Sequence, residues 1–286
     1  MNGIIVIDKK KNFTSHDVVA IIKKISKEKV GHTGTLDPMA TGVLPLLIGK
    51  ATQISKYLIN HDKKYIATIK LGEKRDTADS EGIVTEVKPV KNINLEKINK
   101  ILNEIKGKQI QIPPMYSAIK INGKKLYEYA REGKNIEIQG RNIEIYNTKL
   151  IKFDEKEQEI TFEIECSKGT YIRTVCENIA EKLNTVGYMK ELRRIKIGNF
   201  NIENSVDVIQ IMKDNTLIEK NIITLENFFS NKEGIFLNEN EIKQFLNGMK
   251  LKKDLKDDLY RIYFNDVFIG IGCVESNYLK RDVILE

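Results

Sequence analysis

The residues best suited to chemistry lie between positions 31 and 42, where three glycines and Pro38 surround the acidic residue Asp37. Pro38 disfavours the helical conformation for Asp37, and the glycines allow tight turns or the close approach of a ligand. This pattern predicts a carboxylate that points in a fixed direction and can act as a nucleophile or a base. An ordinary turn aspartate before proline is the alternative that spacing alone leaves open.

Several other kinds of site lack their sequence motifs. Gly49-Lys50 is followed by Ala51, where a phosphate-binding loop requires serine or threonine. The sequence contains neither a His-Glu metal motif nor a serine nucleophile elbow. Its three cysteines and three histidines do not have the spacing of a disulfide framework or a zinc site. We therefore expect chemistry without a metal or a cofactor.

The overall composition is that of a folded protein with a basic surface. The chain has 47 basic and 40 acidic residues, and 41% of its residues are hydrophobic. The basic excess lies in residues 1–230, and it favours polyanionic partners, although a lysine-rich proteome would also produce it. The apolar N-terminal run is too short for a signal peptide, and no stretch approaches transmembrane length. A cytoplasmic protein without membrane contact is expected.

The elements that must position Asp37 alternate between strands and helices. A Thr14-x-x-Asp17 capping box predicts a helix after the first strand. Apolar runs and period-2 stretches predict strands, and apolar residues at helical spacing predict further helices. The predicted strands include residues 3–7, 43–48, 64–71, 143–151 and 160–166, and the later helices include 98–105 and 172–183.

This order of elements indicates an α+β fold on a mixed, mostly antiparallel sheet, because it lacks a regular βαβ repeat. The polar stretch at residues 230–234 marks a domain boundary. We expect a larger domain at residues 1–230 and a small β-rich domain at residues 231–286, with a helix at 239–246 and strands at 260–264 and 267–274.

The segment around Asp37 resembles the catalytic motif of the bacterial TruB-type tRNA pseudouridine-55 synthases. The motif here reads Gly31-His32-Thr33-Gly34-Thr35-Leu36-Asp37-Pro38-Met39-Ala40-Thr41-Gly42-Val43-Leu44-Pro45. The similarity continues at residues 64–65, 71–72, 76–79, 113–118, 123–128, 167–173 and 192–194. The family often has proline and glycine where this chain has Lys10 and Asn12. The resemblance covers the chain to about residue 230 and is weaker beyond it.

The resemblance implies both the fold and the reaction. The fold would be a pseudouridine synthase catalytic domain followed by a small PUA-like C-terminal domain. The reaction would isomerise uridine 55 in the T-loop of tRNA to pseudouridine, by base flipping and by aspartate-dependent cleavage of the glycosidic bond and C–C rejoining. The implied partner is the T-arm stem-loop of tRNA, bound by a monomer that requires no protein partner. The rival interpretation is a tRNA-binding folding chaperone in which catalysis is secondary.

The resemblance also assigns roles to residues. Asp37 would be the catalytic carboxylate, and Arg173 would pair with it and keep it ionised and oriented. Tyr65 would pack on the target base and take part in proton transfer, Leu192 would line the pocket, and His32 would fill the space left by the flipped nucleotide. Without the resemblance, a core tyrosine and a surface arginine at a helix start are the simpler interpretations of Tyr65 and Arg173.

Basic residues along the same segments are candidate contacts to RNA phosphates, as a folded RNA substrate requires. The residues selected for substrate binding are Lys9, Lys64, Lys124, Arg193 and Arg194, and the wider set of candidates adds Lys10, Lys11, Lys63, Lys125 and Arg131.

Overall fold

The computed structural model describes residues 1–58, 61–134 and 136–285. The strands preceding residue 230 are β1 (Gly3–Lys9), β2 (Val30–His32), β3 (Thr41–Ile48), β4 (Lys63–Leu71), β5 (Glu73–Arg75), β6 (Val84–Val87), β7 (Gly107–Gln111), β8 (Lys120–Ile121), β9 (Lys124–Lys125), β10 (Arg141–Asp154), β11 (Glu159–Cys166), β12 (Gly187–Ile197), β13 (Phe200–Asn201) and β14 (Val206–Asp207). The later strands are β15 (Gly234–Phe236), β16 (Leu251–Lys252), β17 (Asp258–Phe264), β18 (Val267–Glu275) and β19 (Tyr278–Ile284).

The helices are mostly short, and several of them cover the sheet. They are α1 (Ser15–Ser26), α2 (Ser55–Leu58), α3 (Leu95–Glu104), α4 (Leu126–Arg131), α5 (Ile172–Lys182), α6 (Val208–Lys213), α7 (Thr216–Asn221), α8 (Leu225–Phe228) and α9 (Glu239–Leu246). Within the described ranges, no helix has both the length and the apolar character needed to cross a lipid bilayer.

Ten strands of the described chain form one large sheet. Its main path runs β14-β1-β3-β12-β4-β11-β10-β7, with β2 paired to β3 and β13 paired to β12. The β1–β14 and β3–β12 pairs are parallel, and the remaining pairs in this sheet are antiparallel. The expected α+β class and mostly antiparallel mixed sheet are confirmed.

Helices α1, α3 and α5 pack on one face of this sheet. Strand side chains alternate between the two faces, so β1 contributes Ile5 and Ile7 to the helical side. Val18 and Ile22 of α1 lie in the same core. Burying an aliphatic side chain of this size stabilises the fold by about 1.5–3 kcal/mol.

The opposite face of the large sheet packs against the C-terminal sheet. Ile4 and Val6 of β1 lie in a core that also contains Ile271 and Val283 of β18 and β19. The C-terminal sheet has the order β15-β17-β18-β19-β16. Because this second sheet shares a core with the first, it can hold the back of the large sheet in place. The division of the chain near residue 230 stays a prediction.

Most local expectations agree with the structure. The capping box at Thr14 and Asp17 is present at the start of α1. The hairpin of β10 and β11, the helices α3, α5 and α9, and the strands β17 and β18 lie where the patterns predicted them. The central strand β12 was not predicted as a strand.

Candidate active site

Asp37 lies in the aspartate loop (residues 33–40), which joins β2 to β3. Ser15 at the start of α1 fixes this loop, because its hydroxyl donates to the Leu36 carbonyl oxygen at 3.1 Å and accepts from the Leu36 amide at 2.9 Å. The Asn12 amide donates to the carbonyl oxygen of Pro38 at 3.0 Å. These bonds on either side of Asp37 hold its carboxylate in one direction.

Lys9 supports the same loop from beneath. Its side chain has no solvent exposure, and its ammonium group donates to the carbonyl oxygens of Phe13 at 2.6 Å, Lys10 at 3.1 Å and Pro38 at 3.3 Å. Burial is the main cause that lowers the pKa of Lys9 to about 8, and the nearby Asp37 carboxylate opposes this effect. The predicted phosphate contact of Lys9 is therefore corrected. Its ammonium group is buried, and its three protons are already donated to carbonyl oxygens.

The predicted phosphate contact of Arg194 is corrected for the same reason, because this side chain is also buried. It lies on β12, is 1% exposed, and donates to the carbonyl oxygens of Val43 at 2.8 Å and Gly34 at 2.9 Å. Its guanidinium also lies beside the hydroxyl group of Tyr65. Arg194 thus connects the aspartate loop to β3 and β4 rather than contacting phosphate on the surface.

Gly42 follows the aspartate loop and permits the parallel pairing of β3 with β12. Its φ angle is 104°, and a Cβ atom at this position would lie 2.1 Å from the backbone oxygen of Arg194. We expect Gly42→Ala to lower the free energy of unfolding by about 2–4 kcal/mol, because the methyl group meets backbone that cannot move freely. Denaturant unfolding measures this change. Gly133→Ala is the control, since its φ is also positive but its Cβ would meet no atom within 4 Å.

Arg173 forms the expected ion pair with Asp37. It lies in the first turn of α5, after the N-cap residue Tyr171, as the predicted helix at residues 172–183 implied. Its Nε atom is 3.4 Å from Oδ2 of Asp37. The Arg173 side chain is 8% exposed and that of Asp37 is 39% exposed, so a buried cation faces a carboxylate that a substrate can reach.

Asp79 is a second carboxylate on the same guanidinium. Its Oδ2 atom lies 3.4 Å from Nη1 of Arg173, and its side chain is buried. Its Oδ1 accepts from the Thr77 hydroxyl at 2.6 Å and the Glu81 amide at 3.1 Å. Arg173 also donates to the carbonyl oxygens of Thr77 and Tyr116. Residues 76–79 belong to the family resemblance, which was the available signal for Asp79, although no role was predicted for this residue.

A cavity of about 440 Å³ opens beside this ion pair. Its volume lies within the range of small-molecule pockets. Four of its lining residues were predicted to take part in the reaction, namely Asp37, Tyr65, Arg173 and Leu192. Lys63, Tyr116 and Arg194 also line it. The carboxylate therefore meets both apolar and aromatic surface in one pocket.

Tyr65 lies on the central strand β4 and is 7% exposed. Burial raises the pKa of its phenol to about 12, and the neighbouring Arg194 works in the opposite direction. At neutral pH the hydroxyl is therefore protonated, and it can donate a hydrogen bond.

Three of the predicted phosphate contacts lie outside the pocket and are paired with acidic residues. Lys64 pairs with Glu163 at 2.7 Å, and Lys124 pairs with Glu132. Arg193 donates through both terminal nitrogens to the Asp8 carboxylate, at 3.0 and 3.1 Å. Their roles in substrate binding stay predictions.

His32 ends β2, also outside the pocket lining. Its ring packs edge-on against His16, with 5.8 Å between the ring centroids, and its buried Nδ1 atom has no hydrogen-bond partner among the described residues. Burial is the main cause that lowers the pKa of His32, and the nearby charges of His16 and Arg194 also lower it. A neutral ring is the form expected to occupy space in an RNA stack, but that role stays a prediction.

The part of the chain that the structure describes contains no group of three or more His, Cys, Asp or Glu side chains arranged to hold a metal ion. The expectation that the reaction needs no metal or cofactor stays a prediction from the sequence.

The architecture is shared with known structures. A chain in the crystal structure of a Cbf5–Nop10–Gar1 complex matches 99% of this chain and 83% of its own length, with a TM-score of 0.69 and 24% identity. A chain in an H/ACA RNP bound to a substrate RNA containing 2'-deoxyuridine has the same TM-score, 22% identity, and coverage of 99% of this chain and 85% of its own. At this identity the likeness shows the fold alone.

Two family models place the chain in an enzyme class. Residues 23–172 match the TruB family pseudouridylate synthase N-terminal domain, and residues 173–230 match the tRNA pseudouridylate synthase B C-terminal domain. These matches cover most of the chain and include Asp37, Tyr65 and Arg173. The chain therefore belongs to the TruB family of pseudouridylate synthases, and the enzyme is an isomerase.

Curated relatives extend this similarity over the full length. The tRNA pseudouridine synthase B of Clostridium tetani is 47% identical over 279 residues, which are 95% of each chain. The protein of the same name from Caldanaerobacter subterraneus is 39% identical over 284 residues, or 98% of each chain. That of Francisella philomiragia is 41% identical and covers all of this chain and 97% of its own.

Proposed function

We propose that this enzyme converts uridine 55 in the T-loop of tRNA to pseudouridine, with Asp37 as the catalytic carboxylate. The observation that carries the proposal is the ion pair of Asp37 with the buried Arg173 at the edge of a pocket lined by Tyr65 and Leu192. The relatives named tRNA pseudouridine synthase B support tRNA as the substrate.

The reaction rearranges one nucleoside without gaining or losing atoms overall. The bond from the ribose C1′ to N1 of uracil breaks, the base turns, and a bond forms from C1′ to C5. The C5 proton leaves, and N1 gains a proton. Such a sequence requires a carboxylate that can act as a nucleophile or a base, together with a group that can donate a proton. We assign the first function to Asp37 and the second to the hydroxyl of Tyr65, because Tyr65 lines the same pocket and is protonated at neutral pH.

Arg173 prepares the carboxylate for this work. Its guanidinium is held by Asp79 and by two carbonyl oxygens, so its direction is set before the substrate arrives. A fixed positive charge beside Asp37 orients its oxygens. Because the pair needs no rearrangement during the reaction, its electrostatic effect is available in the transition state.

The target base must leave the RNA stack before it can enter the pocket. Tyr65 offers an aromatic surface and Leu192 an aliphatic one, and both line the cavity beside Asp37. We propose that the everted uracil lies between these side chains, that His32 occupies the vacated space in the RNA, and that a monomer performs the reaction without a protein partner.

Transcripts that differ only at position 55 test the substrate assignment. We expect unmodified tRNA with uridine at position 55 to acquire one pseudouridine, and the same tRNA with cytidine there to acquire none while binding with similar affinity. The two RNAs keep the same phosphates, which dominate the affinity. Pseudouridine formed equally in both transcripts would contradict the assignment, and binding without product in either would favour the folding-chaperone function.

A further inference from the structure

Two adjacent lysines at the start of β4 lie on opposite faces of the large sheet. Successive strand residues point to opposite sides, so Lys63 shares a face with Tyr65, and Lys64 shares the other face with Ile66. Lys63 and Tyr65 both line the pocket, whereas Lys64 does not line it and pairs with Glu163. The sequence analysis named both lysines as candidate phosphate contacts and selected Lys64, but the strand places Lys63 on the side of the active site.

Lys63 is half-buried at the rim of the pocket. Its ammonium donates to the carbonyl oxygen of His61 at 2.6 Å and, within the described ranges, forms no ion pair with a carboxylate. Its Cε atom lies 3.9 Å from the position of a Cβ atom at Gly34, which places the side chain against the aspartate loop. Two residues of strand separate it from Tyr65, about 7 Å along the chain.

The other two cations that line the pocket are buried and bonded to protein groups. Arg173 bonds two carboxylates and two carbonyl oxygens, and Arg194 is buried with donors on two carbonyl oxygens. An ammonium group carries three protons, and Lys63 uses one of them on His61. Two of its protons are therefore available to an anion, and of these three pocket cations Lys63 alone is not buried.

We propose that Lys63 binds a backbone phosphate of the everted nucleotide and so couples base flipping to occupancy of the pocket. The inference rests on the proposed function, because an RNA strand must pass the rim when its base enters beside Tyr65. A uridine inside the pocket keeps its sugar and phosphate at the opening, where Lys63 begins the strand. The ligand group is a phosphodiester anion, which an ammonium binds as a point charge.

The surroundings of Lys63 make its charge sensitive to pH. The pKa of Lys63 is lowered to about 8, mainly by burial and also by the positive charges of Arg194 and Lys168, while Cys166 and Asp62 act in the opposite direction. The free enzyme therefore carries the full charge well below pH 8 and loses it above. A phosphate at this site would raise the pKa again, so binding and protonation support each other.

The salt dependence of tRNA binding tests the proposal. We compare the wild type with Lys63→Met, Lys63→Arg and Lys64→Met, measuring Kd, KM and kcat from about 50 to about 300 mM salt. Lys63→Met should weaken binding by about 5- to 20-fold at low salt and reduce the slope of log Kd against log salt by about 0.7–0.9. KM should rise much more than kcat falls, as for a contact made in both ground and transition states.

Lys63→Arg should restore the wild-type slope, and Lys64→Met should keep it. Between about pH 7 and about pH 9, affinity should fall in the wild type and stay constant in Lys63→Arg, because arginine remains charged. This second readout holds even if Lys63→Met fails to fold.

A wild-type slope in Lys63→Met, a reduced slope in Lys64→Met alone, or an equal loss of affinity at high pH in the wild type and Lys63→Arg would each overturn the inference. If the wild type forms no pseudouridine at position 55, the proposed function fails instead. The two failures are therefore distinguishable.

Discussion

Replacing Asp37 by asparagine should reduce pseudouridine formation by at least about 10³-fold, the scale expected when an essential nucleophile or base is removed. Asparagine keeps the shape of the side chain but cannot act as a nucleophile or a base at neutral pH. Binding of tRNA should change by less than about threefold, because phosphate contacts dominate affinity. Single-turnover conversion and equilibrium binding of the same transcript give the two quantities.

Asp154→Asn is the matched control for this experiment. Asp154 ends β10 at the turn of the β10–β11 hairpin and pairs with Lys152, outside the pocket lining. The control should convert tRNA at the wild-type rate. If Asp37→Asn also retained more than about a tenth of that rate, another group would have to supply the chemistry.

Replacing Arg173 by leucine should have two large effects. The first is a fall in the single-turnover rate of about 10²–10³-fold, because Asp37 loses the charge that orients it. The second is a loss of about 3–5 kcal/mol of stability, because Asp79 is left buried without its cation. The rate and the free energy of unfolding in denaturant measure these effects separately.

Arg173→Lys separates charge from geometry. Lysine keeps one positive charge but lacks the planar fork that reaches Asp37, Asp79 and two carbonyl oxygens together. We expect it to recover more of the stability than of the rate. A rate within tenfold of the wild type in Arg173→Leu, with the protein still folded, would show that the ion pair does not orient Asp37.

The sequence revealed elements whose patterns follow one clear period. The alternation in β4 and the apolar spacing in α3 and α5 were sufficient to predict them. Strand β12 was missed although it lies at the centre of the large sheet. Register shifts between Met189 and Glu191 and between Arg194 and Lys196 interrupt its alternation with β4. A strand with two such irregularities and several charged residues has no simple period-2 signal.

The site was predictable where the chain itself constrains a residue. The glycines and Pro38 around Asp37 indicated a fixed carboxylate, and the resemblance supplied Tyr65, Arg173 and Leu192. The burial of Lys9 and Arg194 was not visible, because lysine and arginine are usually exposed and their acceptors are carbonyl oxygens from distant segments. Such bonds exist only after the sheet has brought β1, β3 and β12 together.

The alternation of β4 was sufficient to separate Lys63 from Lys64. Once Tyr65 is assigned to the pocket, period 2 places Lys63 on the same face and Lys64 on the other. For Asp79 the only signal was its place in the family-like segment 76–79, and its link to Arg173 was not predictable because it joins segments far apart in the chain.

The most direct test of the central claim is position-resolved mapping of pseudouridine in unmodified tRNA after incubation with the wild-type protein. A single new pseudouridine at position 55, absent with Asp37→Asn, is the expected result. Product at a different uridine, or no product under conditions where the tRNA is bound, would contradict the account.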